Sequence, residues 1–501
     1  MAYTYKTGDR NQLFLLPPSM AEWLPEDHLA WFVIDVVAAV DTSPFHARHP
    51  NDGVGRPAYD PDVMLALLIY AYCLGVRSSR RIAAGCVTDV AFKVVAAGLS
   101  PDHRTIAGFR ADHEAAIEQV FVDVLRLCAV AGLAELGTIA IDGTKVGSDA
   151  ALDANRSASW IRGQVRQILC EADASDVDEA VQADLAGGLP AELARAGSRR
   201  ARLDAALEQI ETQEDTAREQ AEQQQAKARD EASSGRRLRG RKPADPHAAL
   251  ARAEADVAAT TTKAAAATTP RATERAETEL AEATTALEAA RKRAEDAPAA
   301  VAKANVTDPE SRIMKTASGW VQGYNCQAAV NAQQIVLAAE ATQDHNDLGQ
   351  LVPMINATVS AAAAAGIDQP PGLVLADAGY WSNDNATAAG PDRLIATTKD
   401  WKQRKAAAEL GQTQGDPPEH ASPADAMEHR LRTPEGAAAY ATRSCTVEPV
   451  FGQAKENRGC RRFMRRGLSA AQSEWRLICA TGNLLKLFST LEGRRLATIL
   501  A

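Results

Sequence analysis

The chain has 501 residues, an ordinary apolar fraction of 46%, only 5% aromatics and a net charge of −10. That length accommodates about two to four domains and at least one sizeable core, which excludes a small disulfide scaffold and wholesale disorder. The acidic balance argues against binding nucleic acid over the whole surface, but not against local basic patches.

No apolar run reaches the roughly 18 residues of a membrane span, and no basic-then-apolar leader opens the chain, so a cytoplasmic protein is expected. The eight cysteines include no CxxC pair and read as reduced core residues rather than a zinc site or disulfide framework.

Residues 1–135 read as helical. Asp60 is placed to cap a helix beginning at Pro61, and Gly75 to end it. A short helix follows near Ser78, and Asp102 or Ser100 is placed to cap one long amphipathic helix. Arg77, Arg80, Arg81, Arg104 and Arg110 near these helix starts fit a helix-turn-helix-like DNA-binding domain. The competing reading is an all-helical domain with ordinary surface arginines.

Residues 137–147, GTIAIDGTKVG, read as a strand. From 150 to 305 the composition shifts to Ala, Glu, Gln, Arg and Thr, with two seams at alternating spacings of four and three. The first is Leu203, Leu207, Ile210, Glu214, Ala217, Ala221, Gln224 and Ala228; the second is Ala276, Leu280, Ala283, Leu287, Ala290 and Ala294. They predict an antiparallel coiled-coil hairpin, interrupted at Pro270. Arg236, Arg237, Arg239, Arg241 and Lys242 give it a basic tip, read either as a grip on phosphates or as a solvated loop.

After 305 strands return. GWVQGYNCQAAVN and QIVLAAEATQ form a hairpin around NAQ, and a helix follows, capped by Asn346 or Asp347 and ended by Gly366. Then come the strand GLVLADAGY, a helix-sized connection, the strand RLIATTK and further helices. The order predicts an α/β ribonuclease-H-like catalytic core with an all-helical N-terminal DNA-binding domain and an inserted coiled-coil helical hairpin. The expected division is 1–135 for the N-terminal domain, 136–149 with 306–490 for the core, and 150–305 for the arm.

Two apolar runs end in a carboxylate: Asp142, before Gly143, and Asp377, two residues before Gly379. Either alone is ordinary turn chemistry; at adjacent strand ends of an α/β sheet the two can share a divalent ion. Glu448, on a segment patterned as a helix, is the candidate third carboxylate. Lys455 returns to its helical face seven residues later, and Tyr440 and Arg443 stand ready for phosphate oxygens. Hard oxygen donors suit Mg²⁺, and two such ions about 3.5–4 Å apart activate the attacking oxygen and stabilise the leaving one.

The stretch KENRGCRRFMRR, residues 455–466, carries six basic side chains and one acidic, +6 − 1 = +5. Arg458, Arg461 and Arg462 within it are candidate DNA contacts. Lys145 and Arg312 read equally as phosphate contacts or surface charges. For Trp320 and Trp381 core packing is expected in preference to stacking on an unpaired base, and for His345 a cap or turn role.

Taken in order, RPAYDPDVMLALLIYAYCLGVRSSRRI, PDHRTIAGFR, IDGTKV, DPESRIMK, GWVQGYNCQAAV, LADAGYW and TVEPVFGQAKENRGCRRF resemble a DDE transposase of bacterial insertion sequences. The branch is the one whose glutamate lies in a Y, R, E, K context, and the resemblance covers residues 10–145 and 305–490. It implies Asp142, Asp377 and Glu448 as the metal-binding triad, with Tyr440, Arg443 and Lys455 as the accompanying signature. It further implies two Mg²⁺ ions, replaceable by Mn²⁺, and double-stranded DNA as partner, both at terminal inverted repeats and at a target. Cleavage and strand transfer, a homodimer or higher synaptic assembly, and a nucleoid-associated location follow from it. Four residues separate Arg443 from Glu448 here, where the commonest form of the signature has three. The alternatives are a nuclease or resolvase of the same fold, and a DNA-binding regulator or architectural protein with a relic triad.

Overall fold

The computed structural model describes residues 19–47, 58–167, 199–233, 246–296, 302–398, 411–492 and 496, with side chains omitted for 227–233. They divide into two compact units, Met1–Leu152 with Glu310–Ala501, and Asp153–Pro309.

The first unit begins with helices α1 (Leu29–Ala39), α2 (Pro61–Cys73), α3 (Ser79–Thr88), α4 (Val90–Val95), α5 (His103–Asp112) and α6 (Glu114–Val130). Asp60 Oδ1 accepts the Asp62 N–H at 2.9 Å, and Pro61 occupies a position whose N–H has no helical partner. At the other end of α2 the chain turns on Gly75, φ +71°, with Val76 N–H donating back to Ala71. A Cβ on Gly75 would also lie 2.4 Å from the Arg458 carbonyl oxygen.

Of the two cap candidates, Asp102 performs: its Oδ1 accepts from Arg104 and Thr105, each at 2.8 Å. The single long helix expected after it is two. The helix breaks at His113, whose ring packs against Phe45 and Phe109 with centroids 5.3 and 4.7 Å away. Strand β1 (Thr138–Gly147) follows.

In the second unit β2 (Asn155–Ser157) pairs antiparallel with β3 (Lys303–Asn305), and between them lie α7 (Arg199–Ser233), α8 (Pro246–Ala265) and α9 (Pro270–Glu295). Its small core is Ile161, Leu203, Ala206, Ile210 and Ala304. Every position of the second predicted seam, Ala276 to Ala294, is buried or half-buried on α9. The first seam holds at Leu203, Leu207, Ile210 and Ala221 but not at Glu214, Ala217 and Gln224, which are exposed while Gln213 and Gln225 are half-buried; the Ala228 side chain lies outside the described residues. Glutamine and alanine offer no large apolar knob to lock a register there.

The helical run does break at Pro270, as expected: Pro270 starts α9 behind Thr269. α8 packs against both α7 and α9, so among the described residues three long helices stand where two arms were expected, besides a shorter helical stretch at 158–167. The predicted basic tip, Arg236 to Lys242, lies outside the described residues.

Back in the first unit come β4 (Arg312–Thr316), β5 (Gly319–Asn331), β6 (Val336–Thr342), α10 (Leu351–Ala364), β7 (Leu373–Ala376), α11 (Asn383–Thr387), β8 (Asp392–Ile395), α12 (Pro423–Leu431), α13 (Pro434–Gly452) and α14 (Leu468–Thr490). The mixed sheet runs β4-β5-β1-β7-β8, and β6 also pairs with the long β5. β1 is antiparallel to β5 and parallel to β7, which is parallel to β8. Ile139, Ala140 and Ile141 are fully buried in the central strand. Trp475 of α14, 1% exposed, donates its indole N–H to the Gln327 carbonyl at 2.9 Å, anchoring that helix across β5. Truncation of such a side chain costs about 3–5 kcal/mol.

Among the described residues no helix is long and apolar enough to cross a membrane. Six cysteines are buried and free; Cys445 is exposed, against expectation, and Cys170 lies outside the described residues.

Candidate active site

The last rung of the β1–β7 ladder is Ile141 with Ala376. The next residue on each strand is an aspartate, so Asp142 and Asp377 stand side by side at about the 4.8 Å spacing of neighbouring strands. β7 ends there, but β1 runs on to Gly147 paired with β5. Asp142 is therefore not at a strand tip: it lies mid-strand, where its neighbour has stopped.

Gly143 is accordingly no turn glycine. A Cβ there would lie 2.4 Å from Gln327 Nε2, 2.5 Å from Asp347 Oδ1 and 3.0 Å from Asn325 Oδ1. The alternation of a strand turns Gly143 and Lys145 to one face and Asp142 and Thr144 to the other.

On the Asp142 face, its Oδ1 accepts the Gly143 N–H at 2.7 Å and its Oδ2 accepts from Arg443 at 2.9 Å. A second Arg443 nitrogen lies 3.7 Å from Glu448 Oε1, so one guanidinium links the two carboxylates. Asp377 Oδ1 accepts the Gly379 N–H at 2.6 Å. Tyr440 donates its hydroxyl to the Ala376 carbonyl at 3.3 Å, which ties α13 to the end of β7.

Helix α13 starts at a Thr433 cap, whose hydroxyl accepts the Gly436 N–H at 3.0 Å. Pro449, directly after Glu448, has no N–H for the Cys445 carbonyl; Gln334 Nε2 supplies the donor instead, at 2.9 Å. The helix then widens into a π turn, Gln453–Asn457, which carries Lys455. Lys455 Nζ donates to Thr144 Oγ1 at 2.5 Å and to the Lys145 carbonyl at 2.7 Å.

Burial raises the Asp142 carboxyl above its ordinary range; Asp377 adds to the rise, while Arg443 and the Gly143 N–H oppose it. Burial also works against the Arg443 charge, but Asp142, Tyr440 and Asp377 outweigh it and hold that guanidinium above its usual value. The Lys455 ammonium is lowered, chiefly by burial, with Arg461 and Lys145 pushing the same way.

The donor set of Asp142, Asp377 and Glu448 is all carboxylate oxygen, which fits Mg²⁺ or Mn²⁺. The three do not all bring an oxygen within 4.8 Å of one another; among the described residues that closeness belongs to His46, Asp60 and Asp62. Arg443 supplies the positive charge between Asp142 and Glu448.

The opposite face holds a cluster that the sequence reading missed. Asp347 Oδ1 accepts from Asn325 at 2.8 Å and Gln327 at 2.9 Å, with Lys145 Nζ at 3.5 Å. Tyr380 donates its hydroxyl to Gln327, and burial, reinforced by Asp347, Asp142 and Asp377, raises that phenol well above its ordinary value. Asp347 is thus not the helix cap; Asn346 takes the local role, accepting the Leu348 N–H at 3.2 Å. The available signal was Asn325 and Gln327, polar at a period of two in an otherwise apolar strand.

Three of the arginines expected at a DNA surface are buried. Arg77 donates to the carbonyls of Gly459, at 2.7 Å, and Arg462, and faces Glu474 at 3.3 Å. Arg110 donates to Tyr72, Ser79 and the Arg77 carbonyl, and Arg458 to Thr481 and the Ile478 carbonyl. These donors satisfy buried oxygens and cannot reach a phosphate.

Arg80, Arg81, Arg104, Arg461 and Arg462 are exposed, the last two paired with Glu456 and Asp149. Arg312, half-buried, donates to the Glu310 carbonyl and Gln343. Trp381 packs against the core, whereas Trp320 is 61% exposed, contrary to expectation. His345 occupies an exposed bend before α10.

A family model described as Transposase domain (DUF772) matches residues 18–112, and one described as Transposase DDE domain matches residues 405–488. The second spans Tyr440, Arg443, Glu448 and Lys455; Asp142 and Asp377 lie outside both. No curated protein and no solved structure gave a significant match.

Proposed function

From the premise that the chain belongs with the DDE transposases of insertion-sequence type, as its two family matches support, we propose that it binds the terminal inverted repeats of its own element and cuts and rejoins DNA. The observation that carries this reading is the pair Asp142 and Asp377 on adjacent parallel strands, with Glu448 joined to Asp142 through Arg443. The sheet order, with β1 flanked by antiparallel β5 and parallel β7, supports a ribonuclease-H-like core; residues 153–309 are then its inserted arm, and the N-terminal helices its reader of the repeats.

DDE transposases generally use divalent metals, and here Asp142, Asp377 and Glu448 would hold two. Ions so bound supply Lewis-acid stabilisation of the charge that develops on the phosphoryl oxygens. Asp142 must be ionised to take part, and Arg443 favours that form. With Asp142 and Glu448 holding a cation, Arg443 would no longer be needed as their counter-charge, and its planar fork suits a phosphate. Lys455 fixes the backbone of β1 at Lys145, and Tyr440 fixes α13 on β7, so the carboxylates keep their spacing.

Arg80, Arg81 and Arg104 would contact phosphates and set register on the repeats. Joining two ends calls for two copies, so a homodimer is the simplest assembly. Glu448→Gln tests the site: element ends stay bound in a mobility-shift assay while cleavage stops. Cleavage retained in that variant removes Glu448 from the site.

A further inference from the structure

A groove of about 540 Å³ begins at Gly143, the residue after Asp142 in β1. Gly143, Thr144 and Lys145 of β1 line it, together with Lys455, Arg461 and Trp320. Among the described residues no carboxylate contributes to its walls; of its cations, Lys145 faces Asp347 at 3.5 Å and Arg461 pairs with Glu456.

Trp320 is placed there by the β4–β5 hairpin. Ala317 and Ser318 form a two-residue turn, Gly319 takes φ +130°, and the register sets Trp320 opposite Lys315. Directly opposed residues of an antiparallel pair project to the same face, so Lys315 shares the indole's face of the hairpin without lining the groove. At 61% Trp320 is the most exposed large apolar side chain among the described residues.

An indole face open to water, in a groove lined by cations, matches one ligand chemistry: an aromatic base carrying a phosphate. Bases inside a duplex are already stacked on both faces, so the ligand is an unpaired nucleotide. We propose that this groove holds an unpaired nucleotide of the DNA strand being cut, its base on Trp320 and its phosphate between Lys455 and Arg461. The proposal rests on the reading that the protein acts on DNA ends. Arg461 pairs with Glu456 at the surface, a link weak enough in water to yield to a phosphate.

The test uses the full chain without divalent metal and one duplex in two forms, blunt and with a short 3′ single-stranded extension carrying 2-aminopurine. The intact protein should bind the extended form more tightly and quench its fluorescence. Trp320→Ala should weaken binding of the extended form roughly ten-fold, a typical loss for one stacked base, and leave the blunt form unchanged. Trp320→Phe should keep most of the preference. An unaltered preference and quench in Trp320→Ala would overturn the groove assignment while duplex binding, and the transposase reading, stood. If the intact protein bound neither form, that reading would fall and the groove assignment with it.

Discussion

Replacing Gly143 by alanine adds one methyl group to β1 immediately after Asp142. That carbon would lie 2.4 Å from Gln327 Nε2 and 2.5 Å from Asp347 Oδ1, so the polar cluster must open. Asn325 and Gln327 are fully buried, and both bond to Asp347, at 2.8 and 2.9 Å. Each buried polar group left without its partner costs about 1–3 kcal/mol, so losing two costs about 2–6 kcal/mol. A domain's whole stability is about 5–15 kcal/mol, so the loss is large. Urea unfolding at neutral pH measures it, with Gly349→Ala as control because nothing lies within 4 Å of a Cβ there. A Gly143→Ala midpoint indistinguishable from the control would refute the packing argument.

Asp142→Asn should melt at a higher temperature than the intact protein at neutral pH. Its folded carboxyl is raised above the unfolded value, so the favourable contribution is full below the unfolded value and is lost as pH rises through the folded one. The advantage of the variant should shrink as the solution is acidified, and a lower melting temperature at neutral pH would contradict the sign. Arg77→Leu leaves Glu474, with a side chain 2% exposed, without its cation; the expected cost is about 3–5 kcal/mol by denaturant titration, and less than about 1 kcal/mol would be inconsistent with a buried pair. Arg104→Ala, at an exposed site, should leave unfolding unchanged and lower the salt slope of duplex binding by about 0.9; an unchanged slope removes Arg104 from the phosphate contacts.

Local chemistry made much of the fold legible. Asp60 with Pro61 and Gly75 bound α2 because capping and positive φ are decided within a few residues, and the β-prone run GWVQGYNCQAAVN marked β5 at Gly319–Asn331. The break at His113 was invisible because it depends on Phe45, far away in the chain. Arg77, Arg110 and Arg458 read as surface charge because a sequence records charge but not depth; their acceptors, half of them backbone carbonyls, come from other segments of the chain. The neighbouring aspartates were visible as a pair, yet the reason for Gly143 was not, since the cluster that excludes a side chain gathers Asn325, Gln327 and Asp347 from other elements.

Cleavage of a plasmid carrying the gene's native flanks, with Mg²⁺, tests the central claim most directly when the intact protein is compared with Asp142→Asn and Asp377→Asn. Cuts at two inverted-repeat ends and joined products are expected, with both lost in either variant. End binding without metal-dependent cutting, even with Mn²⁺, or cutting that survives both substitutions, would contradict it.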